Sequence, residues 1–367
     1  MIKFFDGGMG SMLNLAAGEL PEKLNISDPE RVFAVHDAYA RAGAQFITAN
    51  TFGANSLKYD NVDELVKAGV ALAKKAGKKV ALDLGPTGKL LKPMGDLEFE
   101  KAVELFGEVV RAGKDGSDVA IIETMSDMYE LKAAVLAVKE NSDLPIITSM
   151  IFDESGRLLT GGDVKSAVAM LEGLRVDAIG FNCGLGPKQM IPLVKELREC
   201  TSLPIIVMPN AGLPESVDGK TVYNVSPDEF ANDMKEIAEL GVSILGGCCG
   251  TTPAHIKRMI ELCKDIDDNI PEKKNDTVVC SYSTSVTIGQ KPVVIGERIN
   301  PTGKKLFKEA LRNNNIDYII KEGIAQQEKG AHILDVNVGL PEIDEVQMLQ
   351  DAVFNLQSVL PLPLQLD

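Results

Sequence analysis

Residues 243–253 have the sequence Ser243-Ile244-Leu245-Gly246-Gly247-Cys248-Cys249-Gly250-Thr251-Thr252-Pro253. The first five residues form a short apolar run, which predicts a buried strand. Thr252 followed by Pro253 predicts the start of a helix, because threonine caps the free N–H groups and proline is favoured at the first helical position. The two cysteines lie between these signals. The stretch is therefore predicted to be one β-α unit with a pair of thiols at its turn.

The same order of apolar strand and helix occurs seven more times before this stretch. Most of the strands are nearly continuous apolar runs, as expected for parallel strands buried on both faces. Two of the helices have clear start signals at residues 27–29 and 226–229. Eight units within about 265 residues predict a (β/α)8 TIM barrel rather than an open doubly wound sheet. The predicted strands are residues 3–6, 45–52, 80–84, 119–124, 145–152, 178–183, 204–209 and 243–247.

A different composition begins after Cys263. Residues 264–277 contain eight charged residues and one proline without apolar periodicity, which predicts an exposed linker. Further strands are predicted at residues 293–296, 333–336 and 362–366. We therefore expect a barrel over residues 1–265, a linker over 266–290, and the truncated start of a second β/α barrel over 291–367.

The charge balance and the cysteine count limit the class of protein. There are 38 Lys and Arg against 53 Asp and Glu, a net charge of −15, which argues against nucleic acid or an anionic membrane as a partner. No apolar stretch approaches the ~20 residues of a membrane span, and Asp6 interrupts the N-terminus before a signal peptide could form. Six cysteines in a chain of 367 residues indicate a reducing compartment. We expect a cytoplasmic protein.

Three cysteines are predicted to meet at one end of the barrel. Cys183 ends predicted strand six, and Cys248 and Cys249 follow strand eight, so all three lie at the rim where barrel active sites occur. Three thiolates suit Zn²⁺ with one open position, and adjacent cysteines are poor partners for a disulfide. The alternative is that they are small buried residues. The remaining cysteines have no other cysteine beside them at the rim and are therefore predicted to be structural: Cys200, Cys263 and Cys280.

The ligand set also predicts a type of chemistry. Water in the open position would serve hydrolysis, but three anionic sulfurs weaken the power of Zn²⁺ to acidify water. A substrate thiol is a better fourth ligand, because coordination deprotonates a group that is otherwise only slightly ionised at pH 7. Alkylation of a thiol is therefore the expected reaction.

Seven motifs, in order along the chain, resemble the homocysteine S-methyltransferase family. The resemblance implies Zn²⁺ bound by Cys183, Cys248 and Cys249, with the sulfur of homocysteine as the fourth ligand. It also implies that Asp6 and Glu123 recognise the amino-acid end, although either carboxylate taken singly could be structural. The motifs are residues 6–10, 48–52, 83–88, 123–127, 182–183, 209–212 and 246–251.

Further residues at the rim are assigned less specific roles. Backbone amides near Gly8 could hold the substrate carboxylate. Asn50 and Asn210 could donate hydrogen bonds around the substrate or could simply form turns, and both options remain open. His255, in the first turn after Thr252, is expected to cap its helix rather than to touch the site.

The C-terminal residues resemble a second family. Residues 294–303 and 334–339 are similar to the first two strands of the pterin-binding barrel that binds methyltetrahydrofolate in cobalamin-dependent methionine synthases. This resemblance implies that the methyl group comes from methylcobalamin on a separate module, in cis or in trans, and ultimately from methyltetrahydrofolate. It places four residues at the folate side, although so short a piece is not expected to bind folate: Glu297, Asn300, Asp335 and Asn337.

Three hypotheses about function follow. The first is a zinc-dependent methyltransferase that converts homocysteine to methionine with a cobalamin-bound methyl group. The second is a cobalamin-independent homocysteine methyltransferase with a small sulfonium or betaine-type donor. The third is a non-catalytic zinc- or thiol-binding module, such as a metallochaperone or sensor. Zinc content followed by homocysteine binding would distinguish the enzymes from the module.

Overall fold

The structure is a computed structural model that describes residues 1–15, 18–217 and 220–367. Its main body is a parallel sheet of eight strands in the spatial order β1-β10-β7-β6-β5-β4-β3-β2. A small antiparallel hairpin, β8–β9, lies between β7 and β10 in the chain. The strands are β1 (Lys3–Phe4), β2 (Phe46–Thr48), β3 (Lys79–Leu84), β4 (Val119–Met125), β5 (Ile146–Met150), β6 (Ala178–Asn182), β7 (Ile205–Met208), β8 (Glu215–Val217), β9 (Lys220–Val222) and β10 (Ile244–Leu245).

The two end strands of this sheet meet and close it into a barrel. The N–H of Gln45 donates to the carbonyl oxygen of Phe4 at 2.8 Å, and the side chain of Gln45 accepts from Phe4 N at 3.1 Å. Two residues after Phe4, the carboxylate of Asp6 accepts hydrogen bonds from Thr48 N and Thr48 Oγ1 at 2.9 and 2.7 Å. The prediction of a (β/α)8 barrel is confirmed, and the open sheet is excluded.

Helices follow the strands, and the predicted caps are present. Asp28 accepts from Arg31 N, and Ser226 accepts from Glu229 N. Thr252 and His255 form a capping box, so the expected role of His255 is confirmed. Two short 3₁₀ turns occupy Pro21–Lys23 and Lys114–Gly116. The helices are α1 (Met9–Leu13), α2 (Leu24–Ser27), α3 (Pro29–Ala42), α4 (Val62–Lys75), α5 (Phe99–Gly113), α6 (Met128–Asn141), α7 (Val164–Gly173), α8 (Pro187–Cys200), α9 (Pro227–Glu239) and α10 (Pro253–Cys263).

The inside of the barrel changes from apolar to polar along the strands. Side chains on one face of a strand recur every second residue. Ala81, Ile121 and Ile147 belong to a buried apolar layer, and two residues further along each strand come Asp83, Glu123 and Ser149. The carboxyl ends of the strands therefore carry a polar layer above a dry core. The apolar layer consists of Phe5, Ala81, Val119, Ile121, Ile147, Ala178, Ile206, Met208 and Ile244.

The predicted linker, residues 266–290, contains regular structure that the sequence analysis missed. An antiparallel hairpin is formed by β11 (Thr277–Cys280) and β12 (Ser285–Ile288). It packs on the barrel: Lys165 Nζ donates to Thr287 Oγ1 at 2.8 Å, and the rings of Tyr129 and Tyr282 are 6.1 Å apart. The high charge is confined to residues 264–277, and two short runs of β-branched residues follow it, at 277–279 and 286–288, as is typical of strands.

The last part of the chain is a small β-α-α-β-α-β arrangement. Its strands β13 (Ile295–Ile299), β14 (Ile333–Val336) and β15 (Leu364–Leu366) are parallel and adjacent in that order. Helices α11 (Lys305–Arg312) and α12 (Ile316–Glu328) join the first two strands, and α13 (Glu345–Val359) precedes the third. The first strand begins two residues later than predicted. Within the described ranges, none of the helices is long and apolar enough to cross a membrane.

Candidate functional site

A cavity of about 230 Å³ opens at the carboxyl ends of the barrel strands. It lies directly above the apolar layer, at the rim where the active sites of such barrels occur. The described residues that line it include four acids and no Lys, Arg or His: Asp6, Glu22, Asp83 and Glu123. The cavity therefore favours a cationic group, and its opposite wall is formed by thiols.

The structure brings the three predicted rim cysteines together. The Sγ atoms of Cys183, Cys248 and Cys249 all lie within 4.8 Å of one another, and those of Cys183 and Cys249 are 3.9 Å apart. In a tetrahedral zinc site with Zn–S bonds of ~2.3 Å, two sulfurs are separated by about 3.8 Å. The donor set and its spacing therefore fit Zn²⁺. None of the other three cysteines belongs to this cluster.

Crowding of the thiols separates their protonation states. Hydrogen bonds from Cys183 and Cys248 lower the pKa of Cys249 to about 3. Hydrogen bonds with Cys183 and Cys249, and then burial, raise the pKa of Cys248 well above its usual value. One thiolate is thus stabilised by two neighbours that hold their protons. A bound cation would replace those protons.

Two strained residues flank the cavity. Thr124, in β4, and Cys183, directly after β6, have φ angles of 62° and 56°. This left-handed region is uncommon for residues other than glycine and is costly for a β-branched one. Strand β4 also shifts its register against β5 between Ile122 and Met125, which marks a bulge at Glu123–Thr124. Strain of this kind persists where surrounding contacts enforce it, and it is concentrated at functional sites.

The acids of the cavity are held away from water. Burial raises the pKa of Asp6 to about 7 against the opposing hydrogen bonds from Thr48. Burial, and then the electrostatic interactions with Asp6 and Cys183, raise the pKa of Glu123 to about 8. The pKa of Asp83 is raised well above its usual value by burial and by the neighbouring acids, and its Oδ1 is buried without a described hydrogen-bond partner. A ligand ammonium would relieve this repulsion.

The other predicted rim residues take different positions. Gly8 lines the cavity, but its N–H already donates to Thr251 Oγ1 at 3.1 Å. The next N–H groups, of Met9 and Gly10, lie in the first turn of α1 and have no intrahelical acceptor. Asn210 is not among the residues that line the cavity, and its Oδ1 is buried without a described partner.

Asn50, whose role was left open, lines the cavity, but its amide nitrogen is bonded within the protein. Its Nδ2 donates to Pro21 O and Asn25 Oδ1, both at 2.8 Å. These bonds connect the end of β2 to the segment before α2. Within the described structure, Asn50 therefore serves to hold the rim in shape.

Three further residues at the site were not assigned by the sequence analysis. Asp83 could have been found from the alternation of β3, two residues beyond the buried Ala81. Asn182 is fully buried at the end of β6, and no local signal marks its contacts. Tyr223 packs on Gly250, where an added Cβ would come within 2.3 Å of the ring. The φ of Gly250 is 78°, so this position requires glycine on two counts.

The four residues predicted for the folate side lie along the adjacent strands β13 and β14 or directly after them. Glu297 has its carboxylate 3.4 Å from Lys304 Nζ, and Asp335 is buried with an Oδ1 that lacks a described partner. Asn300 and Asn337 use their Oδ1 atoms to accept a backbone N–H two residues further on. They share one edge of the small sheet.

Comparisons with known proteins agree with this geometry. The family model for homocysteine S-methyltransferase matches residues 3–263. Two proteins named methionine synthase, from Mycobacterium leprae and Mycobacterium tuberculosis, are each 31% identical to the chain and are matched by 99% of it. The chain covers 33% of each of these relatives, so it spans about a third of their length.

A solved structure shows the same fold. The metallated form of the homocysteine methyltransferase MmuM from Escherichia coli superposes with a TM-score of 0.60 at 23% identity. The match covers 70% of this chain and 95% of the other. Its apo form superposes with a TM-score of 0.57 at 25% identity, covering 71% and 95%.

Proposed function

The chain belongs to the homocysteine S-methyltransferase family, and we propose that its barrel methylates the thiol of homocysteine to give methionine. The observation that carries this proposal is the convergence of three sulfurs, all within 4.8 Å, on one wall of a cavity lined by acids. A soft, electron-rich site beside an anionic pocket matches a substrate that has a thiol at one end and an ammonium at the other. The family of the chain supports the same substrate.

We propose that Cys183, Cys248 and Cys249 hold Zn²⁺. When bound, the ion would keep the substrate sulfur in the thiolate form, which is the nucleophilic form of a thiol. Three protein ligands would leave a four-coordinate ion one position for the substrate sulfur, and the half-buried position of the cysteines limits access of water.

The carboxylates are proposed to hold the other end of the substrate. Asp6 and Glu123 would accept hydrogen bonds from the ammonium, which restores their ionised forms in spite of burial. The free N–H groups that follow Gly8 would bind the substrate carboxylate at the first turn of α1. Asn210, predicted to bind the substrate, does not line the cavity, and no contact with the substrate is proposed for it. Fixing both ends orients the sulfur for in-line attack on the methyl group.

The donor is proposed to be methylcobalamin on a module in cis or in trans, recharged from methyltetrahydrofolate. The names of the two mycobacterial relatives support a role in methionine synthesis, and the chain matches about a third of each. We propose that residues 1–265 form the homocysteine barrel and that 291–367 begin a pterin-binding barrel after the linker. In that second part, Glu297, Asn300, Asp335 and Asn337 would face the pterin.

The test is replacement of one thiol. The Cys248→Ala variant should lose its zinc and its transfer of methyl from methylcobalamin to homocysteine. The loss in zinc affinity and in activity should exceed the ~10–100-fold that follows removal of a residue that only supports a ligand. The Cys200→Ala variant is the matched control, since Cys200 is a half-buried cysteine outside the cluster. Zinc per chain, homocysteine binding and methionine formation would be measured on both.

The outcomes separate the three hypotheses. Full turnover in zinc-free Cys248→Ala protein would contradict the proposal. Zinc and homocysteine binding with methyl transfer only from a sulfonium or betaine donor would indicate the cobalamin-independent enzyme. Binding without transfer from any donor would indicate a non-catalytic module.

A further inference from the structure

One buried amide connects the two walls of the cavity. Oδ1 of Asn182 accepts from Thr124 N and from Ser149 Oγ, both at 2.8 Å. Its Nδ2 donates to Thr124 Oγ1 at 2.7 Å and to Cys248 Sγ at 3.8 Å. An asparagine amide has two acceptor positions and two donor hydrogens, so all four are used. A side chain that only filled space would not need this set of partners.

The two bonds to Thr124 hold the bulge in β4. The left-handed φ of Thr124 is costly for a β-branched residue and persists only where surrounding contacts enforce it. Asn182 supplies a bond to the Thr124 N–H and another to its hydroxyl. A bulge re-aims the side chains beside it. The direction of the Glu123 carboxylate, one residue before Thr124, therefore depends on Asn182.

The remaining bond reaches the thiol wall. This N–H is directed at the Cys248 sulfur and fixes the orientation of that side chain, as outer hydrogen bonds orient the ligands of metal sites. Asn182 also immediately precedes Cys183, whose own φ of 56° turns its side chain toward the cluster. The same residue is thus linked to two of the three sulfurs.

We propose that Asn182 is a positioning residue that sets the Glu123 carboxylate and the Cys248 sulfur in one fixed relation, so that both ends of an amino-acid thiol are matched at once. This inference rests on the proposed function, since it takes the thiols as metal ligands and Glu123 as the ammonium partner. It predicts that changes at Asn182 alter metal affinity and substrate affinity separately, depending on which bonds are lost.

The experiment uses two substitutions that remove different bonds. In Asn182→Asp the carboxylate still accepts from Thr124 N and Ser149 Oγ, but both donor bonds of Nδ2, to Thr124 Oγ1 and to Cys248 Sγ, are lost and a negative charge is added. The zinc affinity, measured by competition with a chromophoric chelator, should fall about 10–100-fold. In Asn182→Ala the bulge is released, and the KM for homocysteine at saturating zinc should rise about tenfold or more, with a smaller change in kcat.

A double-mutant cycle isolates the conformational part. Glycine adopts the left-handed φ of position 124 without strain. In the Thr124→Gly background, Asn182→Ala should therefore raise KM by a smaller factor than in the wild type. Asn141→Asp is the matched control, because Asn141 is a hydrogen-bonded asparagine at the far end of α6. It should leave zinc affinity and KM unchanged.

The results distinguish this inference from the function on which it rests. If the wild type binds zinc and homocysteine while both Asn182 variants keep zinc affinity and KM within twofold, the inference is wrong and the function stands. If the wild type binds neither, the proposed function is wrong. Should Asn182→Asp not fold, Ser149→Ala removes one partner of the same oxygen, and an unchanged KM in that variant and an additive Thr124 cycle would overturn the proposal.

Discussion

At the scale of single residues, burial sets the charge of the acids at the mouth of the barrel. Asp6 has its pKa raised to about 7 although Thr48 donates two hydrogen bonds to it, so loss of water outweighs those bonds. The same residue helps to close the seam between β1 and β2. Its proposed contact with the substrate and its structural contact therefore use the same two oxygens.

This shift predicts a pH dependence of stability. The folded pKa of Asp6, about 7, lies above the reference value of 3.8, so the folded chain binds more protons than the unfolded chain between these values. Its contribution to the free energy of unfolding therefore falls as the pH rises from about 4 to about 7. The Asp6→Asn variant should lack this decline, corresponding to about one proton, in urea unfolding of the metal-free chain between pH 4.5 and 8.

The comparison needs a surface acid as its control. Asp37 forms an exposed i,i+4 ion pair with Arg41, and Asp37→Asn should follow the wild-type pH profile. Parallel profiles for wild type and Asp6→Asn would show that Asp6 is ionised in the fold as it is in water.

At the scale of elements, helix α3 contains an unusual buried residue. His36 is fully buried against the barrel, and neither of its ring nitrogens has a described hydrogen-bond partner. Burial lowers the pKa of His36 to about 4. The ring is therefore held neutral and acts as an apolar packing residue with two unsatisfied polar atoms.

The position of His36 predicts acid sensitivity. Between pH 6.5 and about 4 the unfolded chain binds a proton at His36 that the folded chain does not, so stability is lost as the pH falls through this window. His36→Leu should remove this loss and lower the midpoint of acid unfolding, with a change of less than about 1.5 kcal/mol at pH 7. Circular dichroism during acid titration measures it.

The exposed His332 serves as the control in that experiment. His332→Gln should leave the acid midpoint where it is in the wild type. An unchanged midpoint in His36→Leu as well would mean that His36 gains its proton without unfolding the helix.

At the scale of the whole molecule, the segment after α10 is attached to the barrel at both its beginning and its end. Asp268 pairs with the N-terminal amine, and the carbonyl oxygen of Asn269 accepts from Arg198 at 2.7 Å. Lys274 N donates to Ser202 Oγ at 2.9 Å, and the β11–β12 hairpin then packs on α7. Residues 268–288 are thus part of the barrel's packing.

These contacts predict the effect of shortening the chain. A chain of residues 1–267 should unfold at a temperature several degrees below a chain of residues 1–290, because each kcal/mol shifts the midpoint of a domain of this size by about 2–4 °C. Both should retain equal zinc per chain, since no residue of the hairpin is among the described residues that line the thiol cavity. Equal unfolding temperatures would show that the hairpin adds no stability to the barrel.

Much of the fold and part of the site could be predicted from local patterns. Eight apolar runs alternating with capped helices predict the barrel, since each unit must bury its apolar face against the next. The pair Cys248–Cys249 at a strand-to-helix turn is visible because rim positions follow directly from element order. Both signals are carried by neighbours in the chain, which is why the sequence by itself determined them.

Only the tertiary structure decided how the rim is assembled. Asn182 bonds to Ser149 on the adjacent strand β5 and to Thr124 on β4 beyond it, and Asp6 bonds to Thr48 across the closing seam. Such bonds depend on the register between strands and on the bulge in β4. A single inserted residue changes that register, and no local sequence pattern specifies it. The burial that raises the pKa of these acids likewise exists only when all eight strands enclose the cavity.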